Sequence, residues 1–153
     1  QPIALIAGMA KAIGLIEKDI MIKNNSIDFP QTKVKHLTKK LFDMISEYKN
    51  IHLVGNQLNQ DRLPNHISIL LGNKYNNPIL GRVIVRKLSE KGICCSSGSA
   101  CKSGVSEDSD VLSAINVDEK WRRSLIRLSL GPWLDYNNIK TIPSILNELT
   151  LLE

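Results

Sequence analysis

The sequence predicts an α/β domain in which a small antiparallel or mixed sheet is covered by helices. Three observations carry this expectation. Two N-terminal stretches place apolar residues at helical spacing, and short segments after residue 50 read as strands. The strands are few, and helical segments stand between most of them, which suits an α+β arrangement on one small sheet.

The elements follow in order. Ile3, Ile6, Ala10, Ile13 and Ile20 predict a helix over residues 3–22, broken by Lys23-Asn24-Asn25-Ser26. Asp28 is expected to cap a second helix with Pro30 in its first turn. Val34, Leu37, Leu41, Met44 and Ile45 form its apolar stripe, which ends near Tyr48. Residues 51–54 read as a short strand, 55–64 as polar loop, and 66–71 as a strand with Ile67, Ile69 and Leu71 on one side. Pro78 to Lys91 reads as a helix through Ile79, Val83 and Leu88, closed by Gly92. Ile93–Ser96 reads as a short apolar strand and Ser96–Asp110 as a loop. Val111, Leu112 and Ile115 mark a short helix, and Leu125–Leu130 a strand. A final helix starts near Asp135 and is irregular at Pro143.

Composition bounds the function. The chain has 153 residues, enough for one domain with a real core, and 42% hydrophobic residues are ordinary for a globular protein. Net charge is +5, from 20 basic and 15 acidic residues. Lys33, Lys35, Lys39 and Lys40 sit on one predicted helix and read as its solvated face. Nucleic-acid binding would need a denser basic stripe with stacking aromatics, and aromatics are only 5%. No run reaches the roughly 18 apolar residues of a membrane span. Three cysteines, two of them adjacent, do not make a disulfide framework, so a reducing cytoplasm is the expected setting. The chain opens on Gln1-Pro2-Ile3, directly in helical pattern, and residues upstream of Gln1 are expected.

The candidate chemistry begins at Ser96-Ser97-Gly98-Ser99-Ala100-Cys101-Lys102-Ser103-Gly104, where every residue except Lys102 is small. Such a segment is expected to be mobile, and a thiol on it could travel between sites. Lys102, and the lack of a carboxylate before Glu107, favour the thiolate. Cys101 is therefore the candidate nucleophile. Cys94 and Cys95 read instead as inert buried thiols in an apolar strand. A phosphate loop is a poor rival, because Cys101 stands where the second glycine is needed and no helix follows at once. No metal site is expected, since the cysteines lack ligand-pair spacing and His36, His52 and His66 are remote in sequence. The second candidate is Arg127 in Leu125-Ile126-Arg127-Leu128-Ser129-Leu130. Ile126, Leu128 and Leu130 face one side, and Arg127 and Ser129 the other. A guanidinium in an apolar strand needs an anion, either a structural Asp or Glu or a ligand carboxylate that matches its fork.

Ser96–Cys101, followed by Ser124-Leu125-Ile126-Arg127-Leu128-Ser129-Leu130-Gly131, resembles the C-terminal part of a cysteine desulfurase of the NifS/IscS-like branch. The resemblance continues at Arg62–Ser68, at Asp110–Ile115 and at Pro2-Ile3 with Gly8–Ala12. It implies the C-terminal domain of a pyridoxal-phosphate-dependent transferase of type I fold. Residues 1–48 would be a helical segment leading from a large domain, and 49–153 a small domain carrying the cysteine loop at 96–110. It further implies a homodimer that takes L-cysteine to alanine. Cys101 would carry the persulfide, Arg127 would hold the substrate carboxylate, and the sulfur would pass to an acceptor such as an iron–sulfur scaffold. The Schiff-base lysine is expected upstream of Gln1, with no cofactor-binding residue here, so this chain alone is expected to bind no cofactor and turn over no cysteine. The alternatives are a non-catalytic sulfur-relay or binding module, and selenocysteine as substrate.

Overall fold

The structure is a computed structural model, and it describes residues 2–21, 30–56, 62–98 and 109–151. Three strands, β1 (Ile51–Val54), β2 (His66–Leu71) and β3 (Leu125–Ser129), form one sheet in the order β1-β2-β3. Both pairings are antiparallel. Leu53 opposes Ile69, which opposes Ile126. Period-two alternation then sorts the side chains. Ile51, Leu53, Ile67, Ile69, Leu71, Ile126 and Leu128 share one face, and Val54, Ser68, Leu70, Leu125 and Arg127 share the other.

The first face carries the main core. Helices α2 (Pro30–Ser46), α3 (Gly81–Glu90), α6 (Tyr136–Ile139) and α7 (Ile142–Thr150) close over it. Val34, Leu37, Leu41 and Ile45 of α2 are buried there, as the stripe predicted. Asp28, the expected cap of this helix, lies outside the described residues. The opposite face has a smaller cluster, in which Leu112 of α4 (Asp110–Ala114) and Trp121 of α5 (Glu119–Arg122) meet Leu70 and Leu125.

The first helix, α1 (Ile3–Met21), forms where its periodicity predicts. The apolar side chains described on it are nevertheless exposed, with Ile3 at 76%, Leu5 at 74% and Met9 at 68%. The stripe sets a helix but does not bring it onto this core.

Other expectations are corrected. The helix placed at Pro78 begins at Gly81, because the preceding residues continue the sheet edge. Pro78 bridges Gly72, and the Ile79 N–H donates to Leu71 O at 2.8 Å. Gly81 itself is required: a Cβ there would lie 2.4 Å from Leu125 O, so α3 could not start this close to β3. Gly92 takes φ +78 and ends the helix as expected. Ile93–Ser96 is not a strand; only Ser96 bridges Arg127. The final helix is two. Asp135 and Asn138 form a capping box on α6, and Pro143 lies in the first turn of α7, where its missing N–H costs nothing. The short α5, capped by Asp118, had no clear periodic signal at four residues.

Candidate active-site cleft

Arg127 is the centre of the site. On β3 it lies beside Ser68, and its backbone N–H and C=O point the other way, to Ser96. The Arg127 N–H donates to Ser96 O at 2.7 Å, and the Ser96 N–H donates to Arg127 O at 3.2 Å. Ser68 and Arg127 are thus a pair without hydrogen bonds between them, the spacing that brings side chains closest. The Arg127 side chain is half-buried, and its Nη2 donates to Gly98 O at 2.9 Å. Its Nε is buried without an acceptor among the described residues. No carboxylate among the described residues pairs with it, so the structural ion pair considered for Arg127 is not seen there.

A cleft of about 500 Å³ opens on this face. It is lined by Arg127 and Leu125 of β3, Ser68 and His66 of β2, and Arg62 before β2. Gly98 and Ser109 line it too. Ser109 also caps α4, its hydroxyl accepting from Leu112 N at 3.3 Å. Cys101, the predicted nucleophile, lies outside the described residues, as do 99–108 throughout. The two described residues that bracket that stretch therefore both border the cleft of Arg127.

Three cleft residues were not singled out from the sequence for a role. Arg62 donates from Nη2 to His66 O at 2.7 Å and from Nη1 to Asn56 O. Its guanidinium lies 5.7 Å from the Phe42 ring centroid, and burial lowers its pKa. His66 Nε2 and Ser68 Oγ are 2.8 Å apart. Burial first, then the charges of Arg62 and Arg127, hold His66 below the usual histidine value, so it is uncharged at neutral pH. The signal for His66 and Ser68 was present: they alternate with Ile67 and Ile69 as Arg127 and Ser129 alternate with Ile126 and Leu128.

The other cysteines divide. Cys95 is half-buried against the core, and burial, then Cys94 beside it, push its thiol up to about 11. Cys94 is exposed, against the buried reading of the sequence. Neighbours in an extended segment point to opposite sides, so only one of the two can face in. Among the described residues no group of three His, Cys, Asp or Glu side chains is placed to hold a metal ion. No lysine lines the cleft either, so the described residues do not fit pyridoxal phosphate as a Schiff-base site. What they provide is an anion-seeking arginine, a neutral imidazole and a hydroxyl.

Helices over a three-stranded antiparallel sheet, with an arginine cleft on its other face, make a mixed α/β domain, and comparison gives the family. The chain belongs to the aminotransferase class-V family, whose model matches residues 1–142. Within it, the chain is similar to proteins named cysteine desulfurase IscS. It is 33% identical to that of Buchnera aphidicola subsp. Baizongia pistaciae over 153 residues, which cover 97% of this chain and 34% of the relative. It is 28% identical to that of Pseudomonas putida strain GB-1 over 130 residues, 85% of this chain and 28% of the relative. The chain thus spans about a third of the length of these relatives. A NifS-like protein from Rickettsia africae ESF-5 superposes with a TM-score of 0.62 at 27% identity, over 78% of this chain and 28% of that one. A second NifS-like protein gives a TM-score of 0.72 at 22% identity over 99% of this chain and 35% of that one, a likeness of fold.

Proposed function

We propose that this chain is the part of a cysteine desulfurase that grips the substrate carboxylate and supplies the sulfur-accepting thiol. The observation that carries it is the joining of Arg127 to the base of the cysteine segment, by the Ser96 bridge and the bond to Gly98 O. Cys101 is three residue steps beyond Gly98, which bounds the distance between their Cα atoms to about 11 Å by chain geometry. A thiol so tethered is within range of a ligand whose carboxylate sits on Arg127.

The chemistry follows. Arg127 fixes one end of L-cysteine by charge-assisted hydrogen bonds. The Cys101 thiolate bonds to the substrate sulfur, the carbon–sulfur bond breaks with its electron pair left on carbon, and protonation there gives alanine. Pyridoxal phosphate, held by residues outside this chain, would act as the electron sink when bound. The persulfide on Cys101 would then pass its outer sulfur to an acceptor such as an iron–sulfur scaffold, in a reducing compartment such as the cytoplasm. In this reading the working enzyme is a homodimer of a longer chain, and residues 1–48 lead into the small domain from the large one.

The test is cysteine turnover by the full-length protein with a reductant, measuring sulfide and alanine. Cys101→Ser is expected to lower sulfide release by on the order of a hundredfold or more. Unchanged release from that variant removes the assignment, and a natural chain that lacks a large domain would instead be a sulfur-relay module.

A further inference from the structure

Arg62 and Arg127 line the same cleft, yet their guanidinium groups are engaged differently. Arg127 uses one terminal nitrogen on Gly98 O. Arg62 uses both, on Asn56 O and His66 O. Asn56 lies just past the end of β1, and His66 opens β2. Arg62 therefore ties together two strands whose ladder runs only as far as Val54 opposite Ser68. A planar fork can serve two carbonyls at once, which an ammonium on a flexible stem cannot do with the same geometry. No carboxylate among the described residues pairs with either arginine, and Asp110 of α4 is the one carboxylate among the described residues lining the cleft. The excess of positive charge favours an anion.

We propose that Arg62 is the positioning residue of this cleft: it fixes the cleft wall by tying Asn56 to His66, and its charge helps draw in a monocarboxylate that Arg127 alone grips. The inference deepens the reading of Arg127 as the carboxylate-binding residue and rests on it. Each terminal nitrogen of Arg62 spends an N–H on a wall carbonyl, which commits the orientation of its fork to the wall and leaves Arg127 to present a fork to the ligand, so a second carboxylate on the ligand is expected to gain little.

His66 reports on this arrangement. The groups facing it are Ser68 on its own strand, Arg62 before it and Arg127 on β3, with Asp110 of α4 lining the same cleft. Both arginines disfavour its protonated form, so an anion that neutralises them allows it to take up a proton at higher pH.

The experiment uses the full-length protein with ¹³C-labelled histidine, titrated by NMR with acetate and with succinate. Acetate is expected to raise the His66 pKa, and succinate to bind no more tightly than acetate. In Arg62→Gln the anion-free His66 value should rise and acetate should bind about tenfold more weakly. Arg62→Lys should hold the His66 value near that of the wild type but recover only part of the affinity. Full recovery in Arg62→Lys, or succinate binding more than about tenfold tighter, overturns the proposal. So does a wild-type His66 that acetate leaves unmoved, a result that needs no variant to fold. These titrations do not depend on turnover. A His66 response in a protein that releases no sulfide upholds the inference and sinks the desulfurase reading, and turnover without the response does the reverse.

Discussion

The two faces of the three-stranded sheet use the same backbone for opposite ends. On one, Ile67, Ile69 and Ile126 are fully buried under α2, α3, α6 and α7. On the other, Ser68 and Arg127 sit in register with those residues' neighbours and face a cleft. Successive residues of β3 thus serve the core and the site in turn. The core face fixes the strand rigidly in register, because a slip by one residue would bury Arg127 and expose Ile126. The cleft face then inherits that rigidity, and the arginine is aimed without any helix being spent on it.

Substitution at adjacent positions separates the faces most sharply. Ile126→Ala should cost about 2–5 kcal/mol of stability, through lost burial and the cavity left behind, read as a lower denaturant midpoint. Arg127→Ala should change stability by less than about 1 kcal/mol, since it removes one bond to a carbonyl. It should nevertheless weaken cysteine capture by about 2–5 kcal/mol in the full-length enzyme, seen chiefly in KM. If both variants lose stability alike, the division between the faces is false.

A smaller effect is expected where the faces meet. A Cβ at Gly81 would meet Leu125 O and the Ser97 side chain, so Gly81→Ala must push α3 away from β3. About 1–3 kcal/mol of destabilisation is expected by thermal or chemical unfolding. The smallest effect is the pH dependence of His66. Its folded pKa lies below its unfolded value, so the unfolded chain binds more protons as pH falls below about 6.5. Stability should therefore decline as pH drops through the window between the unfolded and folded values. His66→Gln should flatten that slope, and a slope left intact would assign it to another group.

Much of this was legible in the sequence, and the failures share a cause. The apolar stripes of α1 and α2 look alike, yet Val34, Leu37, Leu41 and Ile45 of α2 are buried while the apolar side chains described on α1 are exposed, because spacing specifies a helix and not what covers it. Ile93–Ser96 has strand-like residues, but only Ser96 meets β3 before Gly98 turns the chain at φ +50. Arg62 had no periodic signal at all, since it precedes β2 in an irregular segment. Its role emerges only when Asn56 and His66 come within reach of one side chain.

By itself the sequence determined α1, α2 and the three strands, the inward-facing residues of α2 and of the sheet, and Arg127 as the cation of an otherwise apolar strand. Those follow from local geometry, the period of a strand and the cost of an unpaired charge, which travel with the chain wherever it folds. Tertiary structure alone decided that Gly98, Ser109, His66 and Arg62 border one cleft with Arg127, because such meetings depend on strand register and on contacts between residues far apart in the chain.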